Sequence, residues 1–265
     1  MVQLLDDLPQ AMLIAICGLT LGVRALSVLD PGSPVAARLR RSCSTRLLVS
    51  LLAFGIFAVV AGDVLEAERG DLILMLDHAL RPVARATAGL PGVRVAAQTL
   101  SWLTGEGLAL ALLAAALILW VRERETEAAV VVAGTLSAWG ASGLFKLLLA
   151  IPRPNPERWQ YGFPSGHAFV SLVAFGLMAW VAGRRGSSVR QTSLMAGAVA
   201  VAVLTGFSRL LLDMHWLSDV VGGLAMGTVW LNMTIAVAER GLALEVPRRP
   251  PLRSVREGSR SSYPS

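Results

Sequence analysis

Charge is what this chain has least of. Only 16% of its 265 residues are Asp, Glu, Lys or Arg, against about a quarter in a soluble globular domain. That shortage excludes an ordinary water-facing surface, and the 54% of apolar residues points to lipid instead. Cysteine is scarce as well. Cys17 lies in an apolar block and Cys43 in a basic linker, so neither a disulfide framework nor a cysteine metal site is expected. The opening MVQLLDDL carries two acids and no basic n-region, which argues against a cleaved signal peptide and for a retained first helix. Lysine is almost missing: of 24 basic residues only Lys146 is not arginine. With the abundant alanine, this bias suggests a GC-rich, bacterial genome, and it makes the one lysine conspicuous.

The formal charge of +6 does not indicate nucleic acid, because the arginines sit in short clusters with no basic stripe interleaved with aromatics. The apolar residues are gathered in blocks near 10–29, 46–65, 104–121, 128–150, 166–183, 192–211 and 217–238. Each is long enough to cross a hydrocarbon core of about 30 Å at 1.5 Å per residue. The expected fold is all-α: a polytopic transmembrane helix bundle of six core spans, with an extra span at the N-terminus that Arg24 interrupts. No internal repeat of fixed period is present. Three regions are expected: 1–45 as extra span and basic linker, 46–240 as the transmembrane domain, and 241–265 as a disordered basic tail.

Arginine sets the expected orientation. Arg38, Arg40, Arg41 and Arg46, then Arg122 and Arg124, then Arg184, Arg185 and Arg190, then the tail arginines all fall on alternate connections. By the positive-inside rule those sides are cytoplasmic, so 66–103, 151–165 and 212–216 face the extracytoplasmic side of a bacterial inner membrane. The first of these connections is not plain linker. In DLILMLDHALRPVARA, Asp77, Arg81 and Arg85 recur every four residues among apolar ones, the pattern of an amphipathic helix over about 71–88 lying on the membrane surface, as a lid, a lipid-entry element or a mere connector. His78, on this segment, is expected to be a surface residue.

Charge inside or at the end of a span is costly to desolvate and so marks function. Lys146 lies deep in the fourth block, seven residues before Arg153, which is two helical turns and nearly one face, although Pro152 and Pro154 break the helix there. In GFPSGHAF, Ser165 and Gly166 open the fifth block, where free backbone N–H groups and the positive end of the helix dipole favour an anion. His167 stands in that first turn, able to exchange a proton with whatever binds. In FSRLLLDMHWLSDVVGG, His215 and Asp219 are four residues apart, so the carboxylate can orient one imidazole nitrogen and aim the other at a substrate. Arg209 adds a planar fork suited to phosphate oxygens. Asp213 is expected to be a cap or a surface carboxylate. Three cations and a helix N-terminus around two histidines describe a phosphate site that needs no metal, and no Asp/Glu cluster suited to Mg²⁺ accompanies them.

Three segments resemble the signature motifs of the type 2 phosphatidic acid phosphatase superfamily. They are Lys146, Arg153 and Pro154; Pro164, Ser165, Gly166 and His167; and Ser208, Arg209, His215 and Asp219, all in order between residues 146 and 223. The resemblance implies that His215 attacks phosphorus to form a phosphohistidine, that Asp219 supports its imidazole, and that His167 protonates the leaving oxygen and then activates water. Lys146, Arg153, Ser165, Gly166 and Arg209 would hold the phosphoryl group, with no cofactor or metal. The expected activity is metal-independent hydrolysis of a lipid phosphate or diphosphate. Undecaprenyl diphosphate is the first choice, phosphatidylglycerophosphate or phosphatidic acid the alternatives, and a lipid phosphotransferase using the same site a further one. The membrane branch of the family usually has six spans, so the segment at 10–29 is an addition to it.

Overall fold

The computed structural model describes residues 45–66, 72–155 and 161–245. The expected span at 10–29 and its basic linker lie outside the described residues. Among the described residues the chain forms eight helices: α1 (Thr45–Leu65), α2 (Leu72–Ala88), α3 (Val93–Thr104), α4 (Glu106–Val121), α5 (Glu125–Leu149), α6 (Gly166–Gly183), α7 (Ser188–Leu211) and α8 (Leu217–Glu245). The only extended pairing there is an isolated bridge between Pro152 and Tyr161. An all-helical answer follows from the solvent, since hydrocarbon offers no partner for backbone N–H and C=O groups and a helix satisfies them internally.

Among the described residues five helices (α1, α5, α6, α7 and α8) are long and apolar enough to cross a membrane, and α3 and α4, bent by 42° at their junction, make up to a sixth when taken as one span. Six core spans were expected, but the second begins earlier than its apolar block, 104–121. Arg94, Gln98, Ser101 and Thr104 make α3 read as linker, and the helix breaks at Gly105 before the uniformly apolar α4. At the other end of the chain, α8 runs on to Glu245, into the segment expected as tail, and the rest of that tail lies outside the described residues.

α6 is the central helix, with Phe169, Val173, Ala174 and Leu177 fully buried. Small residues let its neighbours approach closely, as is usual where helices pack without a hydrophobic driving force between them. A Cβ on Gly134 of α5, for instance, would lie 2.6 Å from Leu177 Cδ1 and 2.8 Å from Thr234 Cγ2. Phe163, just before α6, is wholly buried and stacks on Phe57 of α1 at 5.6 Å between ring centroids, while Phe57 also meets Phe145 of α5. The aromatic cluster pins the loop that leads into α6. α5 ends at Ala150, whose left-handed φ of 51° and N–H bond to the Lys146 carbonyl cap the helix, and the prolines at 152 and 154 prevent its resumption.

α2 is the amphipathic helix the sequence predicts, although its polar stripe turns toward the protein, with only Arg85 still largely exposed. Asp77 is buried, and Arg81 and Arg85 reach the link between α7 and α8, while Leu72, Met75 and Val83 are exposed. Acid and amide partners on that link draw the stripe inward. At the opposite end of the bundle the buried Glu127 gathers Arg124 at 3.1 Å, Arg185 at 3.2 Å and Arg184 at 3.7 Å. Arg46 and Glu239 pair there too, at 2.8 Å.

Candidate active site

The C-terminal ends of α5 and α7, the N-terminal ends of α6 and α8, and the break between α3 and α4 meet at one end of the bundle. They bring together all the residues singled out from the sequence.

His215 precedes the first turn of α8 and is buried. Its Nδ1 lies 2.9 Å from Asp219 Oδ2, which also accepts the Trp216 N–H at 3.0 Å. The carboxylate thus reaches back over the helix start, as the third residue of a capping box does. A carboxylate oxygen in such a pair accepts, so Nδ1 carries the proton and Nε2 keeps its lone pair. Burial pushes the His215 imidazole well below its usual 6.5, and the charges of Arg153, Arg209 and Lys146 push it the same way. The neutral ring is the stable form.

The loop before α6 is tied to this turn by the Ser165 N–H, which donates to the Asp219 carbonyl at 2.8 Å. Ser165 precedes α6 in an extended conformation, fully buried, and its Oγ does not cap the helix. Gly166 then sits against the lysine: a Cβ there would lie 3.2 Å from Lys146 Nζ and 2.9 Å from Ser142 Oγ. An ammonium and a helix N-terminus, both positive, therefore face the same space. Arg153 is held from two sides, Nε donating to the Tyr161 carbonyl and Nη1 to that of Met214, each at 3.1 Å. Gly162 fits between it and the acid, since a Cβ there would be 2.8 Å from Asp219 Oδ2 and 3.2 Å from Arg153 Cγ. Arg209 is buried near the end of α7, and its Nη1 donates to Ser101 Oγ of α3. His167 lies under the α3–α4 break, its Nε2 2.7 Å from where a Gly105 Cβ would stand.

Five buried side-chain polar atoms among the described residues have no hydrogen-bond partner, and three of them, Ser165 Oγ, Arg209 Nε and Asp219 Oδ1, belong to this cluster. Buried polar groups are nearly always paired, so a hydroxyl and a guanidinium N–H left free in one place make these two side chains candidates for contact with a bound group. No group of three or more His, Cys, Asp or Glu side chains converges as a metal-ligand set among the described residues.

Sequence reasoning missed Ser101, Gly105, Ser142 and Gly162, because serine and glycine in or beside an apolar span carry no signal of their own. Asp213, expected as a cap or a surface carboxylate, is partly exposed and is the partner of Arg81, at 2.8 and 3.2 Å, and of Arg85, at 2.6 Å, a pairing the sequence did not indicate. Burial alone would raise the Asp213 carboxyl, but the hydrogen bonds and charges of the two arginines hold it below its usual range. His78 is exposed, as expected, with its ring edge-on to Trp216 at 5.4 Å. A shallow cleft between α2 and the α7–α8 link, lined in part by Leu80, Arg81 and Trp216, reaches His215.

A sequence profile described as the PAP2 superfamily matches residues 45–241, well over half of the chain. The chain belongs to the PAP2 superfamily. All three motifs that suggested the type 2 phosphatidic acid phosphatases lie inside the matched stretch. Among solved structures, the chain is similar to one described as the first transmembrane PAP2 type phosphatidylglycerolphosphate phosphatase from Bacillus subtilis. The TM-score is 0.63 at 18% identity, over 76% of this chain and 98% of that one. At that identity the likeness is one of fold, and the fold is that of a membrane-embedded PAP2 protein. No curated protein sequence matches the chain significantly.

Proposed function

We propose that this PAP2 protein is a metal-independent membrane phosphatase that removes the terminal phosphate of a lipid phosphate or diphosphate through a phosphohistidine on His215. The observation that carries the reading is the buried His215–Asp219 pair, at 2.9 Å, facing three cations and the start of α6. The Nε2 lone pair attacks phosphorus, and the bond from phosphorus to the lipid oxygen breaks. His167, protonated at that moment, gives its proton to the leaving oxygen. Asp219 stabilises the cation that develops on His215. Water then attacks the phosphohistidine, His167 takes its proton, and inorganic phosphate leaves with the His215 lone pair restored. Lys146, Arg153, Arg209, Ser165 Oγ and the Gly166 N–H stabilise charge on the transferring group.

Charge balance supports a phosphomonoester or terminal diphosphate group over a diester. Three cations, Lys146, Arg153 and Arg209, outnumber the acids that act on them, Asp219 and Glu106, and a terminal phosphate, with nearly two negative charges at neutral pH against one for a diester, makes more use of that excess. The lipid character follows from location, since the site lies at the end of an apolar bundle where a hydrocarbon chain can stay in the bilayer. The basic end around Glu127 is opposite the site, which by the positive-inside rule supports an extracytoplasmic active site on a bacterial inner membrane. Undecaprenyl diphosphate is the first substrate to try. Phosphatidylglycerol phosphate is the second, favoured by the similar Bacillus subtilis structure.

The test is phosphate release from a panel of lipid phosphates and diphosphates in detergent, with a chelator present. His215→Ala should abolish turnover by a protein that still folds. Normal turnover by that variant would sink the nucleophile assignment, and strict dependence on a divalent metal would contradict the metal-free site.

A further inference from the structure

The helix that carries Asp219 begins after a residue that cannot cap it. Trp216 directly precedes α8, and an indole offers one donor and no acceptor. The first N–H groups of a helix need acceptors, and one of them finds its acceptor on another helix. Asp77 Oδ1 of α2 accepts the Ser218 N–H at 2.9 Å, and Oδ2 accepts the Ser218 Oγ–H at 2.6 Å. Asp77 is only 4% exposed and Ser218 wholly buried. The residue after Ser218 is Asp219, whose backbone and side chain fix the loop before α6 and the His215 ring.

The other polar contacts of α2 converge on the same short segment. Arg81 and Arg85 bind Asp213, and the Arg81 guanidinium lies over the Trp216 ring at 5.0 Å. α2 therefore grips the link on both sides of His215, at 213 and 216–218. A helix that merely joined α1 to α3 would have no need to bury a carboxylate against the start of another helix. The cost of desolvating Asp77, which raises its carboxyl above the usual value despite the Ser218 hydrogen bonds, is offset only where that position matters.

We propose that Asp77 is a positioning residue for the reaction: as the acceptor that Trp216 cannot supply, it fixes the first turn of α8 and, through Asp219, the angle at which His215 meets phosphorus. The inference rests on the reading of His215 as nucleophile.

The experiment uses the full chain in detergent with a lipid phosphate that the wild type hydrolyses, and measures kcat, KM and thermal midpoint for Asp77→Ala, Asp77→Asn, Ser218→Ala and His215→Ala. A reacting group displaced by about 1 Å loses roughly 10²-fold in rate. Asp77→Ala is therefore expected to lower kcat about 10- to 100-fold with KM held within about threefold, the signature of an interaction that matters in the transition state. Asp77→Asn keeps an acceptor for the Ser218 N–H and should retain at least about a third of kcat by the same reasoning. Wild-type kcat in Asp77→Ala, or a raised KM at constant kcat, would overturn the proposal. Should the alanine variant fail to fold, Ser218→Ala decides, because it removes the Oγ–H donor to Asp77. A lowered kcat at constant KM there supports the contact, and wild-type kcat rejects it. An active His215→Ala protein would instead overturn the nucleophile reading, and it would do so whatever the Asp77 variants showed.

Discussion

Gly105→Ala tests whether the α3–α4 break is part of the site or only a bend in a span. A Cβ at that position would lie 2.7 Å from His167 Nε2, 3.3 Å from His167 Cδ2 and 2.9 Å from the Ser101 carbonyl oxygen. Ordinary contact begins at 3.4 Å, so by difference the imidazole nitrogen must retreat by about 0.7 Å and the carbonyl by about 0.5 Å. The imidazole can swing, but the carbonyl belongs to α3, and moving it moves Ser101, which holds Arg209. One methyl group thereby displaces both the proposed proton donor and a proposed phosphate ligand. At roughly 10²-fold in rate per ångström of misplacement, the expected loss in kcat is about 10- to 100-fold, or about 1.4–2.7 kcal/mol of transition-state stabilisation. The assay is phosphate release at saturating lipid phosphate, with Gly140→Ala and Gly143→Ala as controls. Both control glycines lie within α5, and a Cβ on either meets nothing within 4 Å, so those variants should turn over as the wild type does. Wild-type kcat and KM in Gly105→Ala would refute the argument, because the methyl group could then be accommodated without moving His167.

Three further outcomes follow from the site and its surroundings. Burial and three cations hold His215 well below 6.5, so the neutral nucleophile persists into acid and the acid limb of kcat/KM should lie below pH 6.5. Arg153→Met removes one repelling charge, raises the histidine and should move that limb to higher pH on the same substrate; a limb that stays in place would contradict the electrostatic reading. Glu127→Gln strands three arginines, and because Arg124 and Arg185 reach solvent the expected loss of stability is roughly 1–3 kcal/mol, below that of a fully buried pair. Glu127 lies roughly 28 Å along α5 from Lys146 at about 1.5 Å per residue, so kcat per folded molecule should not change; thermal melts and phosphate release read the two effects separately. A phosphodiester with the same acyl chains should be hydrolysed at least about 10²-fold more slowly than the monoester, since it brings one negative charge fewer to the three buried cations.

What was legible in the sequence was what apolar surroundings make expensive. A lysine within a span, an arginine between two prolines and a histidine with an acid four residues on stand out because hydrocarbon does not tolerate them idly. Their spacing then fixed which helix ends must meet, and the bundle has those ends at one place. The residues that stayed hidden carry no such cost. Ser101 and Gly105 are common in membrane helices for packing reasons alone, and a run with Arg94, Gln98 and Thr104 falls below the apolar threshold of a span, so α3 read as a connection.

Asp77 and Asp213 were hidden for a different reason. An acid on an amphipathic stripe is ordinarily solvated, and spacing of four reports which residues share a face but not what that face meets. The stripe could equally have pointed to water, had the α7–α8 link not carried Asp213 for the two arginines and an uncapped helix start for Asp77. Both acids are thus spent on the five-residue link 212–216 and the helix start that follows it, where Leu212, Met214 and Trp216 are only half-buried and His215 must nonetheless be held in place. A membrane bundle positions side chains along its spans by packing, but at the mouth, where spans end and the backbone turns, polar ties have to do it. α2 supplies them from outside the motifs, which is why the motifs alone name the reacting groups and not what holds them.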